Sequence, residues 1–228
     1  MRFIVIFMLA LIIAIHICPK DAYATEELDA LIKECTIVFE EIMKMPEKGI
    51  PGNLLSKATA IAIFPSTIKG AFLVGGRYGE GVVLYRNSET KTWGPPAFFK
   101  VSGISFGWQI GGQAIDLIFV IPTERGFEGL LQNKLNVGTN TALVAGPIGR
   151  NVELGADITL KGGIFTYSRA KGLFAGTGLK GIVISPNKAA NSLYYNQELT
   201  VRDILMHGKA KPSAQAKKLI KTISSHTK

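Results

Sequence analysis

Side chains able to act as bases, nucleophiles or metal ligands are few in this chain: histidine occurs at 16, 207 and 226, and cysteine at 18 and 35. A Ser-His-Asp or Cys-His arrangement needs a base held inside a cleft. His207 and His226 instead fall in a basic C-terminal segment, and His226, two residues from the end, is expected to fray. No Cys or His pair has ligand spacing, so neither a metal nor another cofactor is expected. Glu80, Asp116, Glu153 and Asp157 could supply paired carboxylates for acid–base work if folding brought them together. The run Gly75-Gly76-Arg77-Tyr78-Gly79-Glu80-Gly81 suggests a nucleotide loop. A dinucleotide fingerprint, however, needs Gly-x-Gly-x-x-Gly between a strand and a helix, and here the order is reversed and a strand at 82–85 follows. An enzyme is therefore not the expected reading.

What remains is an anion-facing surface, in which bases sit beside glycines whose backbone N–H groups can add to the side-chain charge. The candidate positions are Lys69-Gly70, Gly76-Arg77, Gly149-Arg150 and Arg169-Ala170-Lys171-Gly172, the last followed by Leu173-Phe174. Two positive charges next to an apolar pair fit an interfacial phospholipid contact, charge to phosphate and ring to the acyl boundary. Lys69, Arg77, Arg150, Arg169, Lys171 and Phe174 are the expected lipid-binding residues; any one of them alone reads equally well as a solvated turn residue. Nucleic acid is not an expected partner, because aromatics are 9% of the chain and no basic strand is interleaved with them.

The elements that would position these residues follow from patterning. Arg2, the apolar run at 3–17 and Ala22-Tyr23-Ala24 make residues 1–24 a secretory signal. Fifteen apolar residues fall short of the roughly 20 that a spanning helix needs. Residues 25–228 form the mature chain, expected to be exported. Cys35 is then its only cysteine and shares an apolar helix face, so burial is expected for it. The mean hydropathy of +0.24 and a charged fraction of 19% rule out disorder as the dominant state. Charge is unevenly spread, at −4 over residues 25–48, +6 over 49–201 and +6 over 202–228.

Residues 25–45 predict an amphipathic helix with Leu28, Leu31, Ile32, Cys35, Val38, Phe39 and Ile42 on one face, an acidic opposite face and Thr25 as cap. Short β-rich runs are expected at 60–64, 71–75, 81–85, 104–110, 115–121, 141–145, 158–160, 163–167 and 181–185, with one helix at 123–133. Of the 25 glycines, 22 lie between Gly70 and Gly181. Turns at hairpin spacing favour an α+β fold: an antiparallel β-sheet or barrel-like core with an N-terminal amphipathic helix and C-terminal helices. The basic segment 200–228 opens with a capping-box pattern at Thr200 and Asp203, and Pro212-Ser213 starts a second helix. That helix either docks its Ala216, Leu219, Ile220 and Ile223 face on the sheet or turns it to a membrane.

An ordered set of blocks resembles the SYLF domain family, also described as the Ysc84-type actin-binding or lipid-binding SYLF domain. The blocks include Ile61-Ala62-Ile63-Phe64-Pro65, Lys69-Gly70-Ala71-Phe72, Pro95-Pro96-Ala97-Phe98, Ala145-Gly146-Pro147-Ile148-Gly149-Arg150, Phe165 through to Gly176, and Tyr194-Tyr195. The resemblance covers nearly all of the mature chain and implies a single domain at 25–228 and a non-enzymatic module. Eukaryotic members bind phosphoinositides and regulate actin and membrane traffic, and signal-bearing bacterial members resemble envelope lipid-binding proteins. In the former the membrane contact is attributed to an N-terminal amphipathic helix. The acidic polar face of residues 25–45 moves the expected contact to the later bases. The expected partner is an anionic phospholipid or membrane surface. The alternative is an envelope interaction or scaffold module that binds a protein partner or itself.

Overall fold

The computed structural model of the chain describes residues 20–45, 49–72, 74–105, 113–132, 135–137, 143–145, 164–170 and 182–227. Its elements are helix α1 (Lys20–Lys44), α2 (Gly52–Leu55), strands β1 (Ala60–Phe72), β2 (Val74–Tyr85), β3 (Ala97–Ser105) and β4 (Gln113–Ile121), and helix α3 (Glu124–Leu131). They continue with β5 (Leu135–Val137), β6 (Leu143–Ala145), β7 (Ile164–Ala170), β8 (Ile182–Pro186), α4 (Lys188–Tyr195), α5 (Val201–Leu205) and α6 (Ala214–Ser225).

The strands form one sheet in the order β5-β8-β3-β2-β1-β4-β7-β6. Every junction is antiparallel except β6–β7. The α+β expectation is met, with the sheet open between β5 and β6 among the described residues. Both faces are covered. Ile61 and Ile63 of β1, Val82 and Leu84 of β2, and Ile118 and Val120 of β4 pack under α1, α4 and α6. The alternating partners Ala60, Ala62, Phe64, Val83, Phe119 and Ile121 pack with Phe127 and Leu130 of α3 and Ile204 of α5. Period-2 side chains that must be apolar on both faces give unbroken apolar runs such as Ala60-Ile61-Ala62-Ile63-Phe64.

Helix α1 buries Leu28, Ile32, Cys35, Val38, Phe39 and Ile42, the stripe its spacing predicts. It starts at Lys20, so Thr25 lies inside it rather than capping it. Residues 20–24 contain neither Gly nor Pro, and nothing in them halts the helix. The boundary after Ala24 thus falls within α1; residues 1–19 lie outside the described residues. Cys35 is fully buried, donates to the Ile63 carbonyl (3.6 Å), and has its thiol pKa pushed up by burial. A thiol kept protonated is unreactive, in keeping with the packing role expected of it.

Helix α6 starts on Ser213, whose hydroxyl accepts from Ala216 N. Its Ala216, Leu219 and Ile223 are buried against α1, and Lys217, Lys218 and Lys221 face solvent. The face is docked rather than turned to a membrane, but it docks chiefly on α1 and not on the sheet as expected. The capping box of Thr200 and Asp203 opens α5 as the sequence predicts. His226 is not frayed: its ring sits edge-on to Phe39 with centroids 5.6 Å apart, and its Nδ1 lies 3.0 Å from the Thr222 carbonyl.

The strand boundaries differ most around glycine. The runs expected at 60–64 and 71–75 are not separate strands: β1 continues through Pro65 to Phe72, and the β1–β2 connection falls inside the second run. Pro65 is accommodated because β1 bulges there, with register shifts between Ile63 and Ile68 and a left-handed Ser66 (φ 49°). Strand β3 starts at Ala97, ahead of the run expected at 104–110, because Pro95-Pro96 hid that start; residues 106–110 of the run lie outside the described residues.

A pH test follows from the core under α1. Tyr167 is buried, its hydroxyl has no hydrogen-bond partner among the described residues, and burial pushes its pKa up to about 12 from 10.0. A raised folded pKa favours the neutral phenol, so this stability is intact below pH 10 and is lost as pH climbs through about 12. Thermal melts against pH are expected to fall across that window. Tyr167→Phe should flatten the fall and add about 1 kcal/mol at pH 7 by removing an unpaired buried hydroxyl. An unchanged alkaline profile in Tyr167→Phe would refute the assignment.

Candidate anion-facing surface

Lys69 and Arg77 are register partners across β1 and β2, beside the Gly70–Gly76 pair. They were expected in turns, and that is corrected: both are strand positions. Lys69 is also opposite Gln113 of β4, and Arg77 is opposite Gly103 of β3. A strand laddered on both sides commits its N–H groups to neighbouring strands, so no backbone cradle adds to the charge here. The glycines do other work. A Cβ on Gly81 would sit 2.1 Å from the Ile63 carbonyl oxygen, and one on Gly79 would sit 2.6 Å from Thr67 Oγ1. Glycine at these two positions lets the bulged β1 press onto β2, a close approach of backbones rather than a phosphate loop.

Arg169 on β7 faces Asp116 on β4, its register partner. Its Nε and Nη2 donate to Asp116 Oδ2 at 3.0 and 2.6 Å, and Nη2 also reaches Glu41 Oε2 of α1 at 2.6 Å. Asp116 is fully buried, and its Oδ1 accepts from the N–H of Ser66 in the β1 bulge at 2.8 Å. Partial burial works against the Arg169 charge, yet the hydrogen bonds to Asp116 and Glu41 hold its pKa above the ordinary value. One guanidinium between two carboxylates is compensated, so Arg169 ties α1 to the sheet and has little charge left for a phosphate. The sequence carried a trace of this: Asp116 is a lone carboxylate in the run Ala114-Ile115-Asp116-Leu117-Ile118, and a buried carboxylate must find a partner. Arg150, Lys171 and Phe174 lie outside the described residues.

The carboxylates considered for acid–base chemistry do not form a pair among the described residues. Glu80 Oε1 accepts from Tyr78 OH (2.7 Å) and Asn187 Nδ2 (3.3 Å) and lies 3.7 Å from Lys100 Nζ. The hydrogen bond to Glu80 raises the Tyr78 pKa to about 12, with burial adding to it. Asp116 is held by Arg169 and Ser66, and Glu153 and Asp157 lie outside the described residues. No group of three His, Cys, Asp or Glu side chains among the described residues is arranged to hold a metal, and no described helix is long and apolar enough to cross a membrane.

Comparison with known proteins places this architecture. The model of the Ysc84 family, described as Las17-binding protein actin regulator, matches residues 102–226. SH3 domain-containing YSC84-like protein 1 of Homo sapiens is 34% identical over 183 residues, which is 80% of this chain and 53% of that protein. LAS seventeen-binding protein 3 of Saccharomyces cerevisiae is 31% identical over 182 residues, 78% of this chain and 39% of that protein. The chain belongs to the Ysc84 family, the SYLF family its motifs resemble. It spans about half the length of the human relative and less of the yeast one.

Proposed function

We propose that this protein is an exported, non-enzymatic lipid-binding protein of the bacterial cell envelope, peripheral on a periplasmic membrane face, that contacts anionic phospholipid through bases at the glycine-rich end of the sheet. The observation that carries the reading is the Lys69–Arg77 pair. Like charges directly opposed on neighbouring strands are destabilising by themselves. An anionic surface beside them attracts both charges and offsets that repulsion. Asp116–Arg169 lies three β4 positions from the Lys69–Gln113 pair, so the end of β7 that carries Arg169 is at the same end of the sheet. Membership of a family whose relatives carry binding-protein names supports a non-enzymatic role.

Flotation of the chain from Thr25 onward with phosphatidylglycerol vesicles tests this. Binding is expected to the anionic vesicles and not to phosphatidylcholine, to weaken as salt shortens the Debye length from about 10 Å at 0.1 M, and to fall in Lys69→Gln/Arg77→Gln. Arg169 is left intact because its loss would loosen the fold. A larger loss in Lys217→Gln/Lys218→Gln would move the contact to α6. Salt-independent flotation, or none, would overturn the reading. Absence of lipid binding together with a stable oligomer or a captured envelope protein would favour the interaction module instead, a reading supported by the relatives' names, which specify protein partners.

A further inference from the structure

At the end of the sheet away from the β1–β2 connection, a cleft of about 320 Å³ opens between residues 56–59, which lead into β1, and residues 86–91, which leave β2. Lys57, Arg86 and Lys91 line it against one carboxylate, Glu124, and apart from one alanine the lining is polar, including Ser56 and Ser88. None of the three cations forms an ion pair among the described residues. Arg86 is fixed by carbonyls instead: Nη1 donates to Ser56 O (2.6 Å), Nε to Lys91 O (3.0 Å) and Nη2 to Thr227 O (3.4 Å). Carbonyls hold the guanidinium without neutralising it, and two of its five N–H groups have no partner among the described residues. Lys91 is held in the left-handed region (φ 56°), its N–H donating to Asn87 O at 3.0 Å. Glu124 is engaged by the Tyr85 hydroxyl at 3.0 Å.

Three fixed or flanking cations and one anion leave a net charge of +2 in a small polar cleft. Its volume is at the low end for ligand sites. A phosphomonoester brings about −1.5 to −2 charge at pH 7 and three strong acceptor oxygens, which matches both the charge and the donors. A phosphodiester brings a single negative charge. An arginine already immobilised loses little further freedom on binding. We propose that this cleft binds a phosphomonoester group, at a site separate from the membrane contact described above. The group belongs either to a soluble phosphorylated molecule or to a lipid headgroup ending in a phosphomonoester.

Titration of the full chain with glycerol 3-phosphate, followed by calorimetry, is expected to saturate, and dimethyl phosphate should bind at least about tenfold more weakly. Lys57→Gln/Lys91→Gln should weaken glycerol 3-phosphate binding at least about tenfold with an unchanged thermal midpoint, because both residues are exposed. Lys57→Arg/Lys91→Arg should restore it. If the Gln variant also loses phosphatidic acid vesicles while keeping phosphatidylglycerol vesicles, the ligand is a lipid headgroup. If binding to both kinds of vesicle is unchanged, it is soluble. Glycerol 3-phosphate that does not saturate, or binds the Gln variant as well as the parent, overturns the site. Phosphatidylglycerol flotation reports on the membrane reading alone, so the two proposals fail separately.

Discussion

Arg169→Met is expected to lower the free energy of unfolding by about 3–5 kcal/mol, read as a drop in the urea midpoint at unchanged slope. The cause is the carboxylate left behind. Asp116 is fully buried, and Arg169 gives it two charge-assisted hydrogen bonds, whereas the Ser66 N–H that also bonds it carries no charge. A buried carboxylate that loses a charged partner costs far more than a lost surface pair. Glu41→Gln provides the contrast. The Glu41 side chain is 42% exposed, so losing its charge should cost under about 1 kcal/mol. A double-mutant cycle between Arg169→Met and Asp116→Asn should show strong coupling, since both residues belong to one network. An Arg169→Met protein within about 1 kcal/mol of the parent would mean that the ion pair is weaker than its burial implies.

Gly81→Ala is the second large expected effect, a loss of about 3 kcal/mol. The added methyl would lie 2.1 Å from a backbone oxygen of Ile63 and 2.8 Å from Phe64 Cα, so β1 and β2 would have to separate. No side-chain rotation relieves a clash with a backbone. Gly79→Ala should be milder, because its nearest obstacle is the Thr67 hydroxyl, which can rotate. Gly52→Ala meets nothing within 4 Å at the start of α2 and should be neutral or slightly stabilising. Urea unfolding of the three variants checks the ranking. Gly81→Ala within about 1 kcal/mol of Gly52→Ala would exclude close strand approach as the reason for glycine at this position.

Features set by local spacing were legible in the sequence. The stripe of α1, the cap at Ser213, the box at Thr200 and Asp203, and the apolar cores of β1, β2 and β4 all depend on residues within a turn or two of each other. What depended on distant partners was not legible. Glycines at 79 and 81 read as turn punctuation because the strand that crowds them lies more than ten residues earlier in the chain. Pro65 read as a strand end because the bulge that admits it is stabilised from Asp116, fifty residues away. The site residues divide in the same way. Lys69 and Arg77 are expected contacts because of their glycine neighbours, and only the register shows that they are paired. Arg169 has the same local signature, but Glu41 and Asp116 claim it. Lys57, Arg86 and Lys91 carry no local motif at all and meet only because β1 and β2 are antiparallel partners.

The contact between α1 and α6 also bears on how the chain is made. Ser213 Oγ donates to Asp29 Oδ1 across 184 residues, and His226 caps Phe39 from still further along. The first amphipathic helix is therefore synthesised long before the surface that covers it. During that interval Leu28, Ile32 and Phe39 lack part of their final cover, and non-local closure of this kind is slow. A nascent chain in this state offers chaperones an early, persistent handle, and stalling translation before residue 213 should leave α1 open to protease while the β1–β2 pair is already protected.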